Sequence, residues 1–176
     1  IKREMLRLPI KAEKVLGNKK VIHDFAAKIF KEEDLFFLGR GLDYAVALEG
    51  SLKLKEISYI HSEAYAGGEL KHGPIALIED GTVVIAGVTQ KKLAEKMISN
   101  IKEVTTRGAK VLAFTWEGNT DIEETVDSVI YLPKVMDILS PVISVIPLQL
   151  LAYYISIQKG CDVDKPRNLA KSVTVE

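Results

Sequence analysis

A single cysteine, Cys161, leaves the 176-residue chain with no partner for an internal disulfide. Only three histidines accompany it, and no CxxC or HxxxH spacing exists, so the common zinc frameworks are excluded and no metal or cofactor is expected. An excess of either charge is missing too, because 24 lysines and arginines balance 24 aspartates and glutamates. Without a basic block or stripe, neither nucleic acid nor an anionic membrane is expected as a partner. The opening stretch, IKREMLRLPIKAEKVLG, is charged throughout and lacks the apolar run of a signal peptide. A thiol-poor chain of this kind is expected in a reducing, cytoplasmic compartment. It starts on Ile1 rather than methionine, which leads to the expectation of a piece of a longer protein.

What is present is ordinary globular composition, with 47% hydrophobic and 27% charged residues, enough to build one domain around a real core. One stretch, Ile138 to Gln158, carries no charge and is long enough for a bilayer. Pro147, Gln149 and three serines within it, and the charged segment that follows, favour a buried helix instead.

Hydrophobic periodicity predicts helices over about 18–31, 43–59, 91–107 and 141–159. Short runs rich in Val, Ile and Phe predict strands at 34–39, 82–88, 110–116 and 128–133. Strands that are apolar on both faces and alternate with helices indicate an α/β domain with a parallel sheet covered on each side. Ligand sites in such sheets lie beyond the carboxyl ends of the strands, here the loops after Leu38, Val88 and Trp116.

The loop GRGLDY after the first strand lacks the third glycine of a dinucleotide fingerprint, where Tyr44 stands, and reads as a tight turn. On the following helix Glu49, Lys53 and Glu56 share one face. They are either a solvated salt-bridged stripe or, given the apolar Leu48, Leu52, Leu54 and Ile57 around them, a covered acid/base pair. His61 and His72 both admit the reading of a core histidine satisfied by backbone, while KHGP places His72 on a turn from which its ring can project. Lys171 sits among small and apolar residues, NLA and SVTV. It is either a solvated tail lysine or a desolvated amine able to attack a carbonyl.

The block FLGRGLDYAVALEGSLKLKEISYIHSEAYAGGELKHGPIALI, the run PLQLLAYYIS and the closing DVDKPRNLAKSVTVE resemble the glucosamine-6-phosphate synthase family. That family is also called glutamine–fructose-6-phosphate aminotransferase (isomerising). The resemblance runs from about residue 35 to the end, over the second of its two sugar isomerase (SIS) subdomains and the tail. It implies a three-layer αβα sandwich with a five-stranded parallel sheet, flavodoxin-like, in a homodimeric enzyme. The implied reaction makes glucosamine 6-phosphate from fructose 6-phosphate and glutamine-derived ammonia. Lys171 would form a Schiff base with the open-chain sugar, Glu56 would move a proton between C1 and C2, and Lys53 would assist it. His72 would promote ring opening in the partner subunit's site.

The resulting division is a linker over 1–17, an SIS subdomain over 18–160 and a catalytic tail over 161–176. Two departures bear on activity. The serine/threonine-rich loop with which the family binds the sugar phosphate has no counterpart in GRGLDY or GVTQKK, and no glutaminase segment is present. The chain alone is therefore expected to show little or no synthase activity. The competing reading is a non-catalytic SIS module that binds sugar phosphates or mediates dimerisation.

Overall fold

The computed structural model describes residues 1–168. Helices α1 (Lys2–Met5), α2 (Leu8–Gly17) and α3 (Lys20–Ile29) precede strand β1 (Asp34–Gly39) and the long helix α4 (Leu42–Ser58). Strands β2 (His61–Ala66) and β3 (Val83–Val88) follow, then helix α5 (Ala94–Thr105). Strands β4 (Lys110–Trp116) and β5 (Ser128–Leu132) and helix α6 (Ser140–Gln158) complete the fold. The five strands are all parallel and lie in the order β2-β1-β3-β4-β5.

Alternation along the strands sends side chains to two separate cores. Leu35, Phe37, Ile85, Leu112 and Phe114 face α3, α4 and α6, whose Ile22, Phe25, Leu54, Leu148 and Leu151 close that side. Leu38, Val84, Ala86, Val111 and Ala113 face α5 through Met97, Ile101 and Val104. Every residue of the central strand β3 is buried, as a strand covered on both faces requires. This is the three-layer sandwich implied by the sequence.

Two elements differ from expectation. Strand β2 is not among the strands that the residues predict. It is an edge strand of sequence HSEAYA with one buried residue, Ser62, and it carries no β-branched side chain to betray it. Its order comes from β1, with Leu35 opposite Ser62, and from Ser51 of α4, whose hydroxyl donates to the Ser62 carbonyl at 3.0 Å. Next, residues 8–17, expected as linker, form a helix that buries Val15 in the first core, and Lys11 Nζ donates to the Lys134 carbonyl at 2.5 Å. The uncharged segment, by contrast, is the packed helix expected of it: α6 is long and apolar enough by composition to cross a membrane, yet half of it is buried, against α2, α3 and α4.

Candidate functional site

Helix α4 leaves the carboxyl end of β1 and runs back along the sheet. It can start where it does because Gly39 has no side chain, since a Cβ there would lie 2.4 Å from the Asp43 carbonyl. From Leu42 to Glu56 it travels ~21 Å, at 1.5 Å per residue. Near its far end Lys53 Nζ donates to Glu56 Oε2 at 2.6 Å and stands 3.7 Å from Glu49 Oε1. The hydrogen bond to Glu56 holds the Lys53 ammonium above its usual pKa, so the lysine is a firm cation. Lys53 and Glu56 thus meet as the helical spacing demands.

Their surroundings are more open than the sequence led us to expect. The side chains of Lys53 and Glu56 are 32% and 25% exposed, and Leu48 and Leu52 on the adjoining face are 48% and 44% exposed. The apolar neighbours therefore border the pair without covering it. Glu56 lines a shallow depression with Leu52, Lys55, Tyr59, Arg167 and Asn168. Tyr59 ends α4 with φ +60°, an uncommon conformation for an aromatic residue. Its hydroxyl accepts the Arg167 N–H at 2.9 Å, while the Arg167 guanidinium lies 4.1 Å from its ring centroid. This contact brings the start of the tail against the end of the helix that carries Glu56. Lys171 lies outside the described residues.

The histidines part company. His61 is no core residue. Its side chain is 64% exposed and its Nδ1 stands 2.6 Å from Asp34 Oδ1 at the start of β1. His72 is exposed at the end of the 3₁₀ turn Leu70–His72, whose Leu70 packs in the core on the α5 side. Since α4 lies on the other face of the sheet, His72 and Glu56 do not meet within one chain.

Several residues escaped sequence reasoning. Arg40 donates from Nε to Asn100 Oδ1 at 2.9 Å, and Gly68 rests against its guanidinium. Lys71 pairs with Glu103 at 2.9 Å, so both contacts hold the loop before His72 onto α5. Asp43 is only 2% exposed, and burial raises its pKa against the hydrogen bonds it accepts from Thr89. An acid inside a turn between two apolar elements was the one available signal for it.

The crevice between the β1 and β3 loops is where the strand order reverses, the usual ligand position in such sheets. Here protein fills it. Asp43 accepts the Thr89 N–H at 2.7 Å and its hydroxyl as well, while Gln90 Oε1 lies 2.8 Å from where a Gly41 Cβ would stand. Gln90 Nε2 is buried without a partner among the described residues. An unmet buried donor costs about 1–3 kcal/mol. Gln90→Met, which keeps the shape, is therefore expected to stabilise the chain by about 1 kcal/mol and raise Tm by about 2–4 °C. A fall in Tm by scanning calorimetry would contradict the account.

Comparison with known proteins follows the same lines. The SIS domain family model matches residues 28–159. The chain is 69% identical over its whole length to glutamine–fructose-6-phosphate aminotransferase (isomerizing) of Clostridium acetobutylicum, of which it covers 29%. It is 53% identical over 174 residues to the Thermus thermophilus protein of the same name, with 99% of this chain and 29% of that one covered. The C-terminal domain of glucosamine-fructose-6-phosphate aminotransferase from Francisella tularensis superposes with a TM-score of 0.85 at 41% identity. That match covers 93% of this chain and 46% of the other. The chain thus spans less than a third of the length of the relatives it matches.

Proposed function

Because the chain belongs to the SIS domain family, we propose that it is the C-terminal isomerase unit of an isomerising glutamine–fructose-6-phosphate aminotransferase. The observation that carries this reading is the 2.6 Å Lys53–Glu56 pair at the edge of the depression where the tail begins. In the proposed reaction the amine of Lys171 condenses with the C2 ketone of open-chain fructose 6-phosphate and releases water. Ammonia then displaces the lysine and leaves an imine at C2. The Glu56 carboxylate takes a proton from C1 and returns it to C2, while the proton lost from the C1 hydroxyl is matched by one gained at the imine nitrogen, leaving the C1 aldehyde and C2 amine of glucosamine 6-phosphate. Lys53, held as a cation by its partner, steadies the carboxylate between the two transfers. Lys171 follows Asn168 by only three positions, a reach of at most ~11 Å.

The openness of the pair supports the view that this chain supplies half a site. Leu48 and Leu52 offer an apolar border for a covering unit, and the proposed enzyme is a cytoplasmic homodimer. His72, on the other face of the sheet, would serve a neighbouring copy by promoting ring opening. On this reading residues 161–176 act as the catalytic tail, residues 1–17 lead in from a preceding unit, and the chain alone turns over no substrate.

The test is reductive trapping in the full-length protein. With fructose 6-phosphate and borohydride, the peptide containing Lys171 is expected to carry a reduced hexose phosphate adduct by mass spectrometry. Lys171→Arg is expected to abolish the adduct. Trapping on any other lysine would overturn the assignment.

A further inference from the structure

Among the described residues only Tyr59 and Asn168 take a positive φ without being glycine, each at +60°. Asparagine tolerates that left-handed conformation, whereas for a bulky aromatic it is an outlier. Tyr59 stands at the first position past α4, where glycine is the residue of least cost. Its neighbours pin it there. Ser58 Oγ donates to the Leu54 carbonyl at 2.6 Å and accepts the Ile60 N–H at 3.3 Å, and Ser58 and Ile60 are both buried. Strain of this kind persists where the surroundings dictate it, and it concentrates at working sites.

What the Tyr59 side chain meets in that position is Arg167, 108 positions away. The hydroxyl accepts the Arg167 backbone N–H, the ring faces the guanidinium, and Asn168, the other left-handed residue, comes next in the chain. The approach to this contact is fixed as well. Cys161 N–H donates to the Ser156 carbonyl at 2.9 Å, and Asp162 Oδ1 accepts the N–H groups of Asp164 and Lys165 at 3.0 Å each. Pro166 restricts the last step. Neither Tyr59 nor Arg167 belongs to either hydrophobic cluster, and Arg167 is exposed, so the contact adds little to the core. What it sets is where the chain leaves the end of α4, beside the depression that Glu56 lines and four positions before Lys171.

We propose, resting on the assignment of Lys171 as the Schiff-base lysine, that Tyr59 and Arg167 are positioning residues which clamp the root of the tail to the helix that carries Glu56. The clamp raises the fraction of molecules in which the amine stands at the Lys53–Glu56 pair. Neither side chain touches the sugar, so loss of the clamp lowers kcat by that fraction and leaves KM in place.

In the full-length protein, Arg167→Ala is expected to lower kcat for glucosamine 6-phosphate formation about two- to fivefold, as loss of an exposed cation–ring contact implies, with KM for fructose 6-phosphate within about twofold of the parent. Arg167→Lys keeps a cation over the ring and is expected to recover about half of the loss. Tyr59→Gly removes ring and hydroxyl together and is expected to lower kcat about tenfold. Its Tm is expected at or above that of the parent, because glycine relieves the backbone. The borohydride adduct on Lys171, sampled at short times, is expected to fall by the same factors. With that adduct intact in the wild type, the clamp is overturned by an unchanged kcat, by a loss that appears in KM instead, or by Arg167→Lys behaving as Arg167→Ala. A Tm of Tyr59→Gly that falls in step with its activity would make the contact structural and overturn it too. Absence of the adduct from the wild type would instead fail the Schiff-base assignment, and the clamp with it.

Discussion

Glu56→Gln in the full-length protein is expected to lower conversion of fructose 6-phosphate by about 10²–10⁴-fold, the range that a positioned general base contributes. The amide keeps the shape of the side chain and can still accept the Lys53 hydrogen bond that now measures 2.6 Å. What it loses is the ability to take up and return a proton. Stability separates this from unfolding, because a partly exposed ion pair of this kind contributes only ~0–1 kcal/mol, and Tm should fall by less than about 4 °C. Glu49 provides the matched control. It lies on the same helix face, 3.7 Å from Lys53 and 41% exposed, but outside the depression that Glu56 lines. Glu49→Gln is therefore expected to stay within about threefold of the parent rate, well inside the span of one general-base contribution. Wild-type turnover by Glu56→Gln, measured as glucosamine 6-phosphate formed, would remove the carboxylate from the mechanism.

The sequence made Lys53 and Glu56 legible because helical spacing is local: positions three apart on α4 must face the same way. Their exposure was not legible. Leu48 and Leu52 look like cover in the sequence, and only the position of α4 between β1, β2 and α6 leaves them facing outward. The same limit governs His61, whose exposure follows from its place at the start of an edge strand. Four strands could be read because short apolar runs rich in Val, Ile and Phe have few alternatives, whereas HSEAYA pairs only because β1 and Ser51 hold it. The plugged crevice is a third kind of case. Asp43 is far in the chain from the adjacent Thr89 and Gln90, and their meeting is a consequence of topology alone.

Gly39→Ala is expected to be among the most damaging single changes in the chain, destabilising it by about 3 kcal/mol or more. The added Cβ would lie 2.4 Å from both the carbonyl carbon and oxygen of Asp43 and 2.5 Å from the Tyr44 nitrogen. All three are backbone atoms, so no side-chain rotation relieves the contact. The whole start of α4 must move away from β1 instead. That helix carries Asp43 at one end and Lys53 and Glu56 at the other, and its Val46, Ala47 and Leu54 are part of the first core. A shift at its first turn therefore reaches the plug, the core and the proton-transfer pair together. At about 2–4 °C per kcal/mol for a chain of this size, Tm should drop by at least about 6 °C in scanning calorimetry. Gly17→Ala is the counterpart. Nothing lies within 4 Å of its added Cβ, and it closes a helix, so it is expected to stabilise by about 0.4–1 kcal/mol through the unfolded chain alone. Equal Tm values for the two variants would mean that the approach of α4 to β1 is not what glycine secures at position 39.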